Sequence, residues 1–209
     1  MNKIIQIKGT NGCGKSTTVS QFMDRYNFIR ETISLKKKID FYSYKDVCVL
    51  AKLSDEIPSR FNIPIIMSNG MRYVGLDGVI TEKNLLYEAI FKIIELKKPR
   101  VLIFEAFVYG VTYNFSRILN TLAKSMNYEY ISVFLTRRNN DFCERVKIRN
   151  KGKYFDQLKQ KRKNILAAKV AKKAMQAGMK TVVVDTSEIE KNNMYKIIEN
   201  LIWKKSLKK

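Results

Sequence analysis

Apolar and polar positions along the chain switch repeatedly between a strand-like and a helix-like pattern. Lys3-Ile4-Ile5-Gln6-Ile7-Lys8 is a short apolar run that stops at Gly9, which predicts a first strand. From Lys15 to Tyr26 the apolar residues Val19, Phe22 and Met23 recur at helical spacing, so a helix with one sheet-facing stripe follows. Phe28 to Leu35 and Lys38 to Leu50 are rich in Ile, Val, Phe and Tyr and predict two or three strands. Leu85, Leu86, Ala89, Ile90 and Ile93 form the stripe of a helix from about Ile80 to Lys97, with Asp77 placed to cap it and Pro99 to end it. Arg100 leads into the continuously apolar Val101–Phe104, as in a strand buried on both faces. A helix over Val111–Met126, a strand over Tyr130–Leu135 and a short helix over Asn140–Asn150 come next. A long helix over Asp156–Ala177 is stopped by Gly178. Thr181 to Val184 is the last strand, and Glu188 to Trp203 the last helix.

Strands alternating with helices imply a parallel sheet covered on both faces. The expected architecture is one α/β domain over residues 1–209, with three layers, a five-stranded parallel sheet and helices on either side. Pro58, Pro64 and Gly70 mark an insertion, residues 51–79, expected to bear on the substrate because function often sits on such segments. Residues 137–155 read as a lid, and 204–209 as a basic tail. No apolar run approaches the roughly 18–20 residues that span a bilayer, and the N-terminal one is too short for a secretory signal, so no membrane partner is expected.

Composition narrows the chemistry. The 209 residues contain no histidine, which removes His-based acid–base catalysis and His-ligated metals. Cys13, Cys48 and Cys143 are scattered and odd in number, so neither a disulfide framework nor a zinc site is expected, and a cytoplasmic setting follows. Forty Lys and Arg stand against 19 Asp and Glu, a net charge of +21. A domain so basic attracts polyanions, although a Lys-rich composition alone gives the same sum. The charge is uneven, with 15 Lys or Arg against three acids (Asp141, Glu144 and Asp156) between Arg137 and Lys180.

One motif carries specific chemistry. Gly9-Thr10-Asn11-Gly12-Cys13-Gly14-Lys15-Ser16 fits G-x-x-x-x-G-K-[ST] at every fixed position, with Thr17 following and with a predicted strand before it and a helix after it. In such a P-loop the glycines let backbone N–H groups turn inward around a phosphate, at the positive end of a helix dipole. Lys15 would reach the β- and γ-phosphates of ATP, and Ser16 would ligate Mg²⁺. The chain lacks an LSGGQ-like signature. It also lacks a guanine-reading N-K-x-D, because Asn150-Lys151-Gly152-Lys153 has Lys where Asp is needed. It is too short for helicase machinery. The small kinases remain, with a P-loop, a substrate-side carboxylate and an Arg-bearing lid.

Glu105 ends the Val101–Phe104 strand, where a parallel sheet opens on its ligand crevice. It could hold Mg²⁺ or take a proton from the attacking hydroxyl; a sheet-edge charge paired with a lysine is the plainer reading. Asp77 is either a substrate-side carboxylate or only a helix cap. Arg137, Arg138, Arg145 and Arg149 stand where a lid would clamp the transferring phosphoryl group, Arg145 and Arg149 on one helix face. Lys159, Arg162, Lys169 and Lys173 lie along one side of the long helix, which suits a phosphate backbone or simply solvent.

Lys8–Thr18, Gly75–Gly78, Phe104-Glu105-Ala106 and the run from Phe134 through Cys143-Glu144-Arg145-Val146 to Gly152 together resemble P-loop kinases encoded by bacteriophages. These include nucleoside monophosphate kinases and kinases of 5-hydroxymethyluracil in phage DNA. The resemblance implies the nucleoside-kinase fold, ATP with Mg²⁺, and Lys15 and Ser16 at the phosphates. It further implies Glu105 near the acceptor, Asp77 on the substrate side, and Arg145 and Arg149 in the lid. The expected activity is phosphoryl transfer to a hydroxyl on DNA, with the protein in the host cytoplasm if viral. A nucleoside monophosphate kinase, a polynucleotide 5′-hydroxyl kinase and an ATP-switched nucleic-acid-binding protein are the alternatives. The oligomeric state is open, a homodimer included.

Overall fold

A computed structural model describes residues 1–10, 12–54, 65–73, 82–105, 113–138 and 157–203. Its centre is a seven-stranded sheet of β1 (Asn2–Gly9), β2 (Ile29–Ser34), β3 (Lys38–Tyr44), β4 (Val47–Leu50), β8 (Val101–Glu105), β9 (Tyr128–Thr136) and β10 (Lys180–Asp185), in the order β10-β9-β1-β8-β4-β3-β2. Strands β10, β9, β1, β8 and β4 are mutually parallel, and β3 and β2 continue the sheet antiparallel. The expected five parallel strands are therefore present, but the sheet is mixed and two strands wider. The reason is local. Only Lys45 and Asp46 separate Tyr44 from Val47, and a two-residue connection can join only antiparallel neighbours. Lys45 takes φ 52° to make this turn.

Helices cover both faces. Helix α1 (Lys15–Arg25) and helix α5 (Lys196–Trp203) lie on one side, where Val19, Phe22, Met23, Ile198 and Ile202 pack on Ile5, Ile7, Ile103 and Val133. Helix α2 (Lys83–Lys97) and helix α3 (Tyr113–Ser125) lie on the other, packed on Ile4, Leu50, Leu102 and Phe104. Helix α4 (Gln157–Gln176) joins that side through Val170 and Ala171 against Phe134. Alternate residues of β1 and β8 thus feed opposite cores, the period-2 rule applied to strands buried on both faces. Gly178, at φ +71°, ends α4, and the Met179 N–H returns to the Ala174 carbonyl. No helix among the described residues is long and apolar enough to cross a membrane.

Two boundaries differ from expectation, and the insertion has structure of its own. Glu82 stands at the N-cap of α2, which begins at Lys83; Asp77, expected to cap it, lies outside the described residues. The last helix begins at Lys196 rather than Glu188, because residues 191–193 form a separate 3-10 turn. Within the insertion, β5 (Leu53–Ser54), β6 (Ile65–Ile66) and β7 (Arg72–Tyr73) form a small antiparallel sheet. Leu53, Met67 and Tyr73 bury there into the α1 core, and the Ser68 N–H donates to Asp24 of α1 at 2.8 Å. The expected helix over 140–150 and the tail over 204–209 lie outside the described residues.

Two substitutions separate packing from backbone strain. Ile103→Ala deletes a fully buried side chain from the central sheet and is expected to cost about 2–5 kcal/mol. Gly178→Ala meets no neighbouring atom and is expected to cost only about 1–2 kcal/mol, from the left-handed backbone alone. Urea midpoints at unchanged slope check both.

Candidate functional site

The chain leaves β1 toward β4 on one side, returns beside β1 as β8, and then crosses to its other side as β9. The order therefore reverses around β1, and in an open α/β sheet the crevice lies at the carboxyl ends of the strands flanking such a point. The loop Gly9–Ser16 occupies that position. Gly9 has φ +141°, and a Cβ there would stand 2.5 Å from the Leu135 carbonyl oxygen and collide with the Cys13 sulfur. The backbone can pass so close to β9 only without a side chain. Gly12 and Gly14 also have positive φ, and Gly14 is the N-cap of α1. No side chain caps this helix end and its first turn contains no acid. Its leading N–H groups, which have no intrahelical partners, are suited to an anion.

Thr10 is the hub of the loop. Its carbonyl accepts the Lys15 ammonium at 3.1 Å and the Cys13 thiol at 2.9 Å. Its hydroxyl donates to Asn164 Oδ1 of α4 at 2.5 Å. On the far side the Thr186 hydroxyl lies 2.9 Å from both the Cys13 and the Thr136 carbonyl oxygens, which ties the loop to the end of β9. Burial pushes the Cys13 thiol up, so it is an inert packing group rather than a reactive one. Across the crevice, the Ser16 hydroxyl donates to Glu105 Oε1 at 3.1 Å. Glu105 is buried at the end of β8, in register with Ile7 of β1. Two hard oxygen donors thus stand side by side next to the anion-suited helix end, a set that fits Mg²⁺, which takes few protein ligands and completes its shell with phosphate and water.

The remaining candidates are spread more widely. Arg137 donates to the Thr186 carbonyl at 3.2 Å, one residue contact from the loop. Arg138 turns away into an exposed ion pair with Glu188 at 2.9 Å. Arg162 is exposed on α4. Asn11, Asp77, Arg145, Arg149 and the Lys159 side chain lie outside the described residues.

Three contributors were not legible in the sequence. Asn164 sits in a basic helix with nothing to distinguish it, and Thr186 lies just past the strand it serves. Lys8 resembles a solvated strand end, yet it is fully buried. Its ammonium points to the α3 face, away from Glu105, and donates to Ser116 Oγ at 2.5 Å over the rings of Tyr130 and Phe134. Burial lowers its pKa to about 7. Gln6, Ser132 and Tyr130 complete a buried polar cluster, with the Tyr130 hydroxyl donating to Gln6.

No protein-family model matches the chain, and no curated protein aligns with it significantly.

Lys8 gives the site a pH signature. Its folded pKa lies below the unfolded value of 10.5, so above pH 7 the unfolded chain binds the extra proton and stability rises with pH. Between pH 7 and 8, below the free-thiol value of 9.0, the melting temperature is expected to climb. Lys8→Met is expected to flatten that climb, and thermal melts of both proteins at half-unit pH steps check it.

Proposed function

We propose that this protein is an ATP-dependent phosphotransferase of the P-loop kinase kind, acting on a hydroxyl carried by DNA. The observation that carries the reading is the convergence of Lys15, Ser16 and Glu105 on one crevice, at the end of β1, around a helix N-terminus left uncapped. The backbone of Gly9–Ser16 would cradle the phosphates of ATP. Lys15 would exchange its bond to the Thr10 carbonyl for phosphate oxygens. Ser16 and Glu105 would hold Mg²⁺, which on binding neutralises charge on the phosphates. Glu105 would orient the acceptor hydroxyl, or the water beside it, for in-line attack. Arg137 reaches the same end of the sheet and can add positive charge near the transferring group.

The acceptor follows from charge. A net +21 exceeds what a free nucleotide requires and suits a polyanion held along the surface. A hydroxymethylated pyrimidine in DNA is the acceptor this reading favours.

Labelled γ-phosphate from ATP should pass to hydroxymethylated DNA and not to the four dNMPs, plain duplex or 5′-hydroxyl DNA. Label on a dNMP alone would make the protein a nucleotide kinase; label on no acceptor, with ATP still bound, would leave only an ATP-dependent binding protein. Lys15→Ala is expected to reduce transfer about 10²-fold or more. Glu105→Gln is expected to do the same while ATP with Mg²⁺ still raises the melting temperature. Transfer to DNA should fall steeply between 50 and 200 mM salt, on the order of 10³-fold if several phosphates are contacted.

A further inference from the structure

At the rim of the sheet opposite the glycine-rich loop, where the parallel strands begin, five aromatic residues meet. Tyr26 follows the last turn of α1, Phe28 leads into β2, Tyr44 ends β3, Trp203 ends α5, and Phe22 lies beneath them. The Tyr26 ring centroid is 5.1 Å from Trp203, edge-on, and 5.2 Å from Tyr44, and Phe28 is 5.7 Å from Tyr44. Phe22 is buried and only roots the group, whereas Tyr26, Phe28 and Tyr44 are half-buried and Trp203 is 40% exposed. Tyr26, Tyr44 and Trp203, with Lys45, Asp46 and Val47, line a shallow cavity of about 230 Å³.

The charge around this cavity suits an anion. Its acids are already engaged: Asp46 by Arg100, and Glu199 by Arg25 and by the Tyr26 hydroxyl at 2.5 Å. Lys45 has no acidic partner among the described residues, and its ammonium lies over the Tyr44 ring, 5.2 Å from the centroid. A cation on a partly exposed ring is held weakly, so a phosphate can draw it away and leave that ring face to a base. Lys3 reaches the same rim, where its ammonium donates to the Leu201 carbonyl at 2.7 Å. Partly exposed rings beside a lysine without an acidic partner supply the two elements of sequence-tolerant single-strand recognition.

We propose that this rim binds single-stranded DNA, stacking an unpaired base against Tyr44 and Trp203 with Lys45 on the adjoining phosphate. The inference does not depend on phosphoryl transfer. Helix α1 spans 11 residues, about 16 Å, between the two places, so the strand site and the glycine-rich loop are separate.

Trp203 is the chain's one tryptophan, so its fluorescence reports this rim directly. Titrating the full chain with a dodecamer of thymidylate at low salt, without ATP, should quench that fluorescence saturably. Lys15→Ala should quench identically, so a failure of the kinase reading leaves this result standing. Tyr44→Ala and, independently, the surface change Lys45→Glu should each weaken binding about tenfold or more. Heparin, a polyanion without bases, and dTMP, a base without a polymer, should not quench over the same range. Absence of quenching, equal quenching by heparin or dTMP, unchanged binding by folded Tyr44→Ala or Lys45→Glu, or loss of quenching in Lys15→Ala would each overturn the proposal.

Discussion

The approach of Gly9 to the Leu135 carbonyl is the constraint on which the rest of the site depends. The end of β1 must bend away from β9 within one residue, and it can do so only where no Cβ intrudes. That bend delivers Gly14 to the N-cap of α1 and points α1 back along the sheet. Val19, Phe22 and Met23 then meet the α5 side of the core. The same bend places Lys15 and Ser16 opposite the end of β8, where Glu105 stands. Thr10 and Thr186 lock the loop with side-chain hydrogen bonds at both ends.

The two faces of β1 are chemically different at their polar end. Ile7 and Glu105 share the α1 side, which opens on the crevice; Gln6 and Lys8 share the α3 side, which is closed. The sheet therefore separates the carboxylate from the buried amine, and the two cannot neutralise each other. Lys8 is left to its uncharged partner Ser116 and to two ring faces, which is why burial dominates its protonation.

Most of this architecture was legible in the pattern of the chain. The Val19/Phe22/Met23 and Leu85-to-Ile93 stripes and the apolar Val101–Phe104 run report burial directly, and all of them lie in the core. The sheet's width was less legible. Phe28–Leu50 reads as strands, but direction depends on the Lys45-Asp46 turn, which lacks the glycine or asparagine that usually announces such a hairpin. The site divided in the same way. A fixed-spacing motif exposed Lys15 and Ser16, and strand direction exposed Glu105. Asn164 and Thr186 act through contacts between residues more than 150 apart in sequence, which no local pattern encodes.

Lys8 also bears on how the chain folds. In the unfolded chain at neutral pH its side chain is an ammonium ion, and the place it must enter offers a hydroxyl and two rings but no carboxylate among the described residues. Above pH 7, closing α3 over β1 and releasing a proton are one coupled event. The enclosure of the central strand is thus gated by solution acidity.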